Sequence, residues 1–232
     1  MRRVAWPQAW RIIASRYPPI DLFERVATGD PAISDALIAL EEMTNPRLRD
    51  AIGEIALVPP EERVGGPNAS YVMAPFTHLN PLGSRFADAT CGAYYAAGDL
   101  ATAIAETIHH FERLARDAND PARSEDMRVL VGAIAAELED AGALPEPLRA
   151  QVLDPDSYAA SQRWARELRD RGADGIVYPS VRRAGGECVA AFRPNVPAIP
   201  VQERHLRYVW DGTRVSRYFD YSEDRWIDWP PV

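Results

Sequence analysis

Phe76 to Glu112 reads FTHLNPLGSRFADATCGAYYAAGDLATAIAETIHHFE, and the fold is decided in it. Gly83-Ser84-Arg85-Phe86 follows Asn80-Pro81 as a polar turn. Tyr94-Tyr95-Ala96-Ala97 is a short apolar run suited to a strand. Asp99 follows Gly98 where a helix cap belongs, and Leu100, Ala103, Ile104, Ile108 and Phe111 then recur at helical spacing. Glu106 falls about two turns into that helix, close to its apolar side. A turn-borne arginine, a strand-borne tyrosine and a helix-borne carboxylate can converge on one cleft. Taken singly, Arg85, Tyr95 and Glu106 also read as a surface cation, a packed aromatic and a solvated charge.

A second stretch stands far downstream. After Gly175, Ile176-Val177-Tyr178 is a strand stopped by Pro179, so that Ser180 opens the next loop, with Gly185-Gly186-Glu187-Cys188 after it. Together with Gly83-Ser84-Arg85-Phe86, Tyr94-Tyr95-Ala96-Ala97 and Thr102-Ala103-Ile104-Ala105-Glu106, this pattern resembles the RES domain family, over roughly Trp10 to Phe192. The family is named for its Arg, Glu and Ser, and it supplies toxins of bacterial type II toxin–antitoxin pairs.

The resemblance implies an α+β fold: a single ADP-ribosyltransferase-like domain over 1–232 with a strongly bent or split β-sheet core flanked by helices. It implies NAD+ as substrate and Glu106, Arg85 and Tyr95 as catalytic residues. Ser180, Arg11, His78 and Thr77 are its expected NAD-binding residues. Arg16 is a second candidate beside Arg11, and either also reads as an edge-strand surface arginine. The implied partner is an antitoxin with a helix-turn-helix part, in a hetero-oligomer; ADP-ribose goes to a target protein, water or phosphate. A non-catalytic interaction module that retains the fold is the reading from a different class.

The residue types agree with that chemistry. A glycosidase ordinarily needs two carboxylates, one of them to protonate the leaving oxygen. Nicotinamide leaves NAD+ as a neutral molecule, so one carboxylate suffices to stabilise charge on the sugar.

Bulk composition sets the bounds. The 232 residues are enough for one well-buried core, and 47% are hydrophobic against 26% charged. A formal net charge of −8 argues against direct nucleic-acid binding, since phosphates must be met by cations. All 26 cations are arginine, which removes any lysine-based mechanism. Cys91 and Cys188 read as reduced thiols. No segment approaches membrane-spanning length and the N-terminus lacks a secretory apolar run, so the expected location is cytoplasmic.

His109 and His110 follow Glu106 by three and four positions, and Glu-x-x-His is half of a di-metal carboxylate site. The second half is missing, because the other histidines are His78 and His205. No metal is expected, and the pair reads as helix residues that buttress Glu106.

Elsewhere, Trp10–Ala14 reads as an opening strand, ended by the turn Ser15–Pro19. A helical elaboration is expected at about 20–57, with Asp21 and Ser34 as caps and a further piece after Asn45-Pro46. Tyr71-Val72-Met73 reads as a strand, and Arg128–Ala136 as strand or helix. A helix capped by Ser157 should run through Trp164 and Leu168 to Gly172. Cys188–Phe192 is a further strand, and Asp211-Gly212 should turn a hairpin at about 203–221. The aromatics of the Trp226–Pro231 tail are expected to pack on the body.

Overall fold

The computed structural model describes residues 1–17 and 53–230. The expected caps Asp21 and Ser34, the piece after Asn45-Pro46 and most of the helical elaboration lie outside those residues.

The chain opens with β1 (Arg2–Ala14) and resumes with α1 (Ser70–Thr77). Then come β2 (Tyr94–Ala97), α2 (Leu100–Asp117) and the long β3 (Arg123–Asp140). After α3 (Leu148–Val152) and α4 (Ala159–Asp170) follow β4 (Gly175–Pro179) and β5 (Glu187–Ala191). The chain ends in β6 (Val201–Trp210), β7 (Val215–Asp220) and β8 (Arg225–Asp228).

One mixed sheet of eight strands organises these elements, in the order β1-β2-β5-β4-β3-β6-β7-β8. Strand β1 also pairs antiparallel with β3 from Arg2–Leu138 to Ala14–Met127, so the sheet bends until its first five strands close on themselves. Among the described strands only β3 and β4 run parallel; β6, β7 and β8 extend the sheet as antiparallel neighbours.

Alternation along the strands sorts side chains into two cores. Ile176 and Tyr178 on β4, and Cys188 and Ala190 on β5, share one core with Ile104 and Ile108 of α2. Val177, Val189 and Ala191 face the other, with Val72, Met73 and Phe76 of α1. Full burial on both faces of the sheet explains why β4 and β5 read as continuous apolar runs.

Two local expectations are corrected. Tyr71-Val72-Met73 lies in α1, not in a strand; six of that helix's eight residues are buried, so no amphipathic period marks it. The cap of α4 is Tyr158, without a side-chain cap bond, and Ser157 instead donates its backbone N–H to Asp154. At the other end Gly172 takes a positive φ, as a terminating glycine should. The ambiguous run 128–136 is strand throughout. The β6–β7 hairpin turns through Asp211, whose side chain accepts from the Thr213 and Arg214 N–H groups. Strand β8 puts Trp226 beside Phe219, and Trp229, just past its end, lies edge-on against Tyr218. Among the described residues no helix is long and apolar enough to cross a membrane.

Candidate active site

The closed end of the sheet and α2 enclose a cleft of about 300 Å3, in the range of small-molecule sites. Arg11, Arg85, Tyr95 and Glu106 line it together. They come from β1, the 83–87 turn, β2 and α2, and their meeting is a product of the sheet's bend.

The turn is held from two sides. Asn80 donates its side-chain amide to the Gly83 carbonyl at 2.7 Å, and the Ser84 N–H bonds the Ala87 carbonyl at 2.6 Å. From inside, the Tyr95 hydroxyl accepts the Phe86 N–H at 2.9 Å and lies 2.8 Å from Ser84 Oγ. From α4, Gln162 donates to the Ser84 carbonyl at 2.9 Å. Gly83 has φ +66°, and a Cβ there would fall 2.8 Å from Gln162 Nε2, so the turn needs glycine. Tyr95 thus fixes the arginine turn through its hydroxyl while its ring lines the cleft; burial raises its pKa.

Arg85 is only 6% exposed, and it meets no carboxylate among the described residues. Its Nη1 donates to the Asp154 carbonyl at 2.6 Å and the Val152 carbonyl at 3.4 Å, and its guanidinium lies 4.8 Å from the Tyr158 ring centre. Arg11 donates to the Tyr95 carbonyl at 3.0 Å and stacks over the Tyr94 ring at 4.7 Å. Its buried Nε has no hydrogen-bond partner among the described residues, and burial lowers its pKa. Arg16 is exposed instead and pairs with Glu125 at 3.3 Å; it does not line the cleft.

Helix α2 starts as its sequence dictates. Asp99 Oδ1 accepts the Thr102 N–H at 2.8 Å and Oδ2 accepts its hydroxyl at 2.7 Å. Glu106 is then the one carboxylate lining the cleft among the described residues. Ser180 Oγ donates to Glu106 Oε1 at 2.6 Å. The same hydroxyl oxygen accepts the Arg182 and Arg183 backbone N–H groups, each at 3.1 Å. With its lone pairs so occupied, its proton is committed to Glu106, a charge-assisted bond that aims the carboxylate. Gly186 lets this loop approach α2, since a Cβ there would lie 2.4 Å from Thr102 Oγ1. The Cys188 thiol lies 3.9 Å from Glu106 Oε1, and its pKa is pushed up by burial and then by that carboxylate.

His110 lines the cleft one turn beyond Glu106, with the His109 ring 5.5 Å from its own. Burial and then neighbouring positive groups lower their pKa values, to about 4 for His109 and about 3 for His110, so both are neutral near pH 7. Thr77 and His78 are not brought to the cleft. They end α1, Thr77 buried and His78 exposed, with Thr77 Oγ1 3.1 Å from His78 Nδ1. Among the described residues no group of three His, Cys, Asp or Glu side chains is placed to hold a metal ion.

Two contributors were not singled out from sequence. Arg113 lines the cleft seven residues after Glu106, two helical turns along the same face, a spacing that could have found it. Tyr158 sits beneath both Arg85 and Arg113, from a loop that no spacing connects to them.

The chain is similar to the uncharacterized protein y4oC of Sinorhizobium fredii, with 29% identity over 215 residues, covering 92% of this chain and 87% of that protein. Among solved structures it overlaps the M. tuberculosis MbcT–MbcA toxin–antitoxin complex at 12% identity and a TM-score of 0.38, covering 62% of this chain and 92% of that one. That overlap is too slight to support any inference. The RES domain model matches residues 60–211, a span that holds Arg85, Tyr95, Glu106 and Ser180 but begins well after Arg11. On that match, which covers more than half of its length, the chain belongs to the RES domain family.

Proposed function

We propose that this chain is the toxin of a bacterial type II toxin–antitoxin pair, with an ADP-ribosyltransferase-like domain that cleaves the nicotinamide–ribose bond of NAD+. One observation carries the reading. Among the described residues the cleft holds a single carboxylate, Glu106, aimed by Ser180, and its other charged side chains are the guanidiniums of Arg11, Arg85 and Arg113. That pattern suits a ligand with an anionic middle and a sugar that becomes cationic. Membership of the RES family points the same way.

In the proposed reaction the C1′–N bond breaks with its electron pair going to the pyridinium nitrogen, and nicotinamide leaves neutral. Glu106 stabilises the positive charge that builds on the ribose. An acceptor oxygen then bonds C1′ and gives up its proton. Arg85 pairs with the diphosphate, Arg11 supplies a second cation in the cleft, and the Tyr95 ring packs against the nicotinamide end. The acceptor is water, phosphate or a protein side chain, all of which share the bond-breaking step. NAD+ is a substrate and no metal is required. The chain acts in the cytoplasm, restrained by an antitoxin whose helix-turn-helix part does any DNA binding.

The test is incubation of the purified chain with radiolabelled NAD+ and bacterial lysate, following free nicotinamide and label on protein. Label on a discrete band makes it a mono-ADP-ribosyltransferase. Nicotinamide release without labelled protein makes it an NAD+-degrading enzyme, with phosphate dependence separating the remaining acceptors. No release would leave a non-catalytic module.

A further inference from the structure

Arg85 and Arg113 approach one aromatic ring from two separate elements. Their guanidinium carbons lie 4.8 and 5.4 Å from the Tyr158 ring centre, and both residues line the cleft. Neither forms an ion pair with a carboxylate among the described residues. Among the described residues Arg85 spends only Nη1 on protein acceptors, and its Nε and Nη2 have none there. Two like charges beside one ring, without an acid between them, repel each other. The ring face offsets part of that cost. A dianionic ligand would remove the rest.

We infer that Arg85 and Arg113 form a clamp for the two phosphates of a dinucleotide, with Tyr158 as the positioning residue that holds both guanidiniums. Arg85 takes the phosphate on the nicotinamide side and Arg113 the phosphate on the adenosine side. Position along α2 supports this order. Arg113 is seven residues beyond Glu106, roughly 10 Å along the helix axis, so it stands away from the ribose that Glu106 serves. Arg85 stands between Ser84 and Phe86, both hydrogen-bonded to the hydroxyl of Tyr95, the residue assigned to the nicotinamide end. The inference deepens the proposed function and rests on it for the identity of the ligand.

Calorimetry on the purified full chain with ADP-ribose, ADP and nicotinamide mononucleotide tests the clamp. Arg113→Gln should weaken ADP-ribose and ADP by about tenfold or more, the usual worth of a charge-assisted pair. It should leave nicotinamide mononucleotide within about twofold, because that ligand lacks the adenosine-side phosphate. Arg113→Lys should recover part of the loss. Tyr158→Leu should weaken ADP-ribose and the mononucleotide alike, because the ring holds both guanidiniums, and Tyr158→Phe should restore both. Unchanged ADP-ribose affinity in Arg113→Gln, or an equal loss for the mononucleotide, overturns the clamp. So does failure of the wild-type chain to bind either diphosphate. Nicotinamide release separates this inference from the reading beneath it. Arg113-dependent ADP binding without release from NAD+ sinks the enzyme reading and keeps the clamp. Release with an unchanged KM for NAD+ in Arg113→Gln does the reverse.

Discussion

Arginine is treated in two different ways at the two ends of this sheet. In the β6–β8 extension it meets acids. Arg204 pairs with the buried Asp220 at 2.8 Å, Arg207 with Asp126 at 2.7 Å, and Arg225 with Glu223. In the cleft at the closed end, Arg11, Arg85 and Arg113 meet carbonyls and aromatic rings, and no acid among the described residues pairs with them. The same side chain is a closed structural link in one place and a cation with unused donors in the other. In a chain of net charge −8, acids are plentiful, so a cluster of cations without an acid partner among the described residues is what the proposed anionic ligand rests on.

The division can be broken by a residue that acts on both sides of it. Glu106→Gln should show the largest effect, cutting nicotinamide release by on the order of a hundred- to a thousandfold while NAD+ binding and melting temperature stay near wild type. A variant with full turnover would remove Glu106 from the chemistry. Arg204→Met is the mirror experiment. It leaves the Asp220 carboxylate, 3% exposed, without its cation, and should cost about 3 kcal/mol in chemical denaturation with turnover unchanged. Lost turnover in the folded variant would join the two regions energetically.

Ser180→Ala sharpens the cleft side. Loss of the 2.6 Å bond to Glu106 should lower kcat by about tenfold with little change in KM, since the serine orients the carboxylate. An effect confined to KM would make Ser180 a ligand contact instead. The smallest expected effect is on pH dependence. His110 titrates near 3 in the folded chain against 6.5 for the ordinary imidazole, so below about 6.5 the unfolded chain binds the extra proton. Stability is therefore lost as pH falls from about 6.5 towards 3, and His110→Gln should make the fall in melting temperature shallower. An unaltered slope would show that His110 is not held neutral.

Much of the cleft was legible because its local chemistry is local in sequence. The cap at Asp99, the helix phase that inclines Glu106 towards the apolar side and the Gly83 turn before Arg85 all lie within forty residues. Arg113 shared that phase and was open to the same reading. Where burial is complete the pattern fails. Tyr71-Val72-Met73 looks extended by residue type, yet it forms a helix buried on nearly every side, and no period remains to tell the two apart.

The sequence by itself determined the elements and the residue types they carry: a capped helix with one carboxylate, a strand with a tyrosine, a glycine turn with an arginine, and a serine after Pro179. It could not place Ser180 on Glu106, 74 residues away, or bring Tyr158 beneath two arginines. Spacing alone did not separate Arg11, which the resemblance favoured, from Arg16, five positions on along the same opening stretch. Those choices belong to the sheet. Its bend joins β1 to both β2 and β3, which sets Arg11 over Tyr94 inside the cleft and leaves Arg16 at the exposed end beside Glu125.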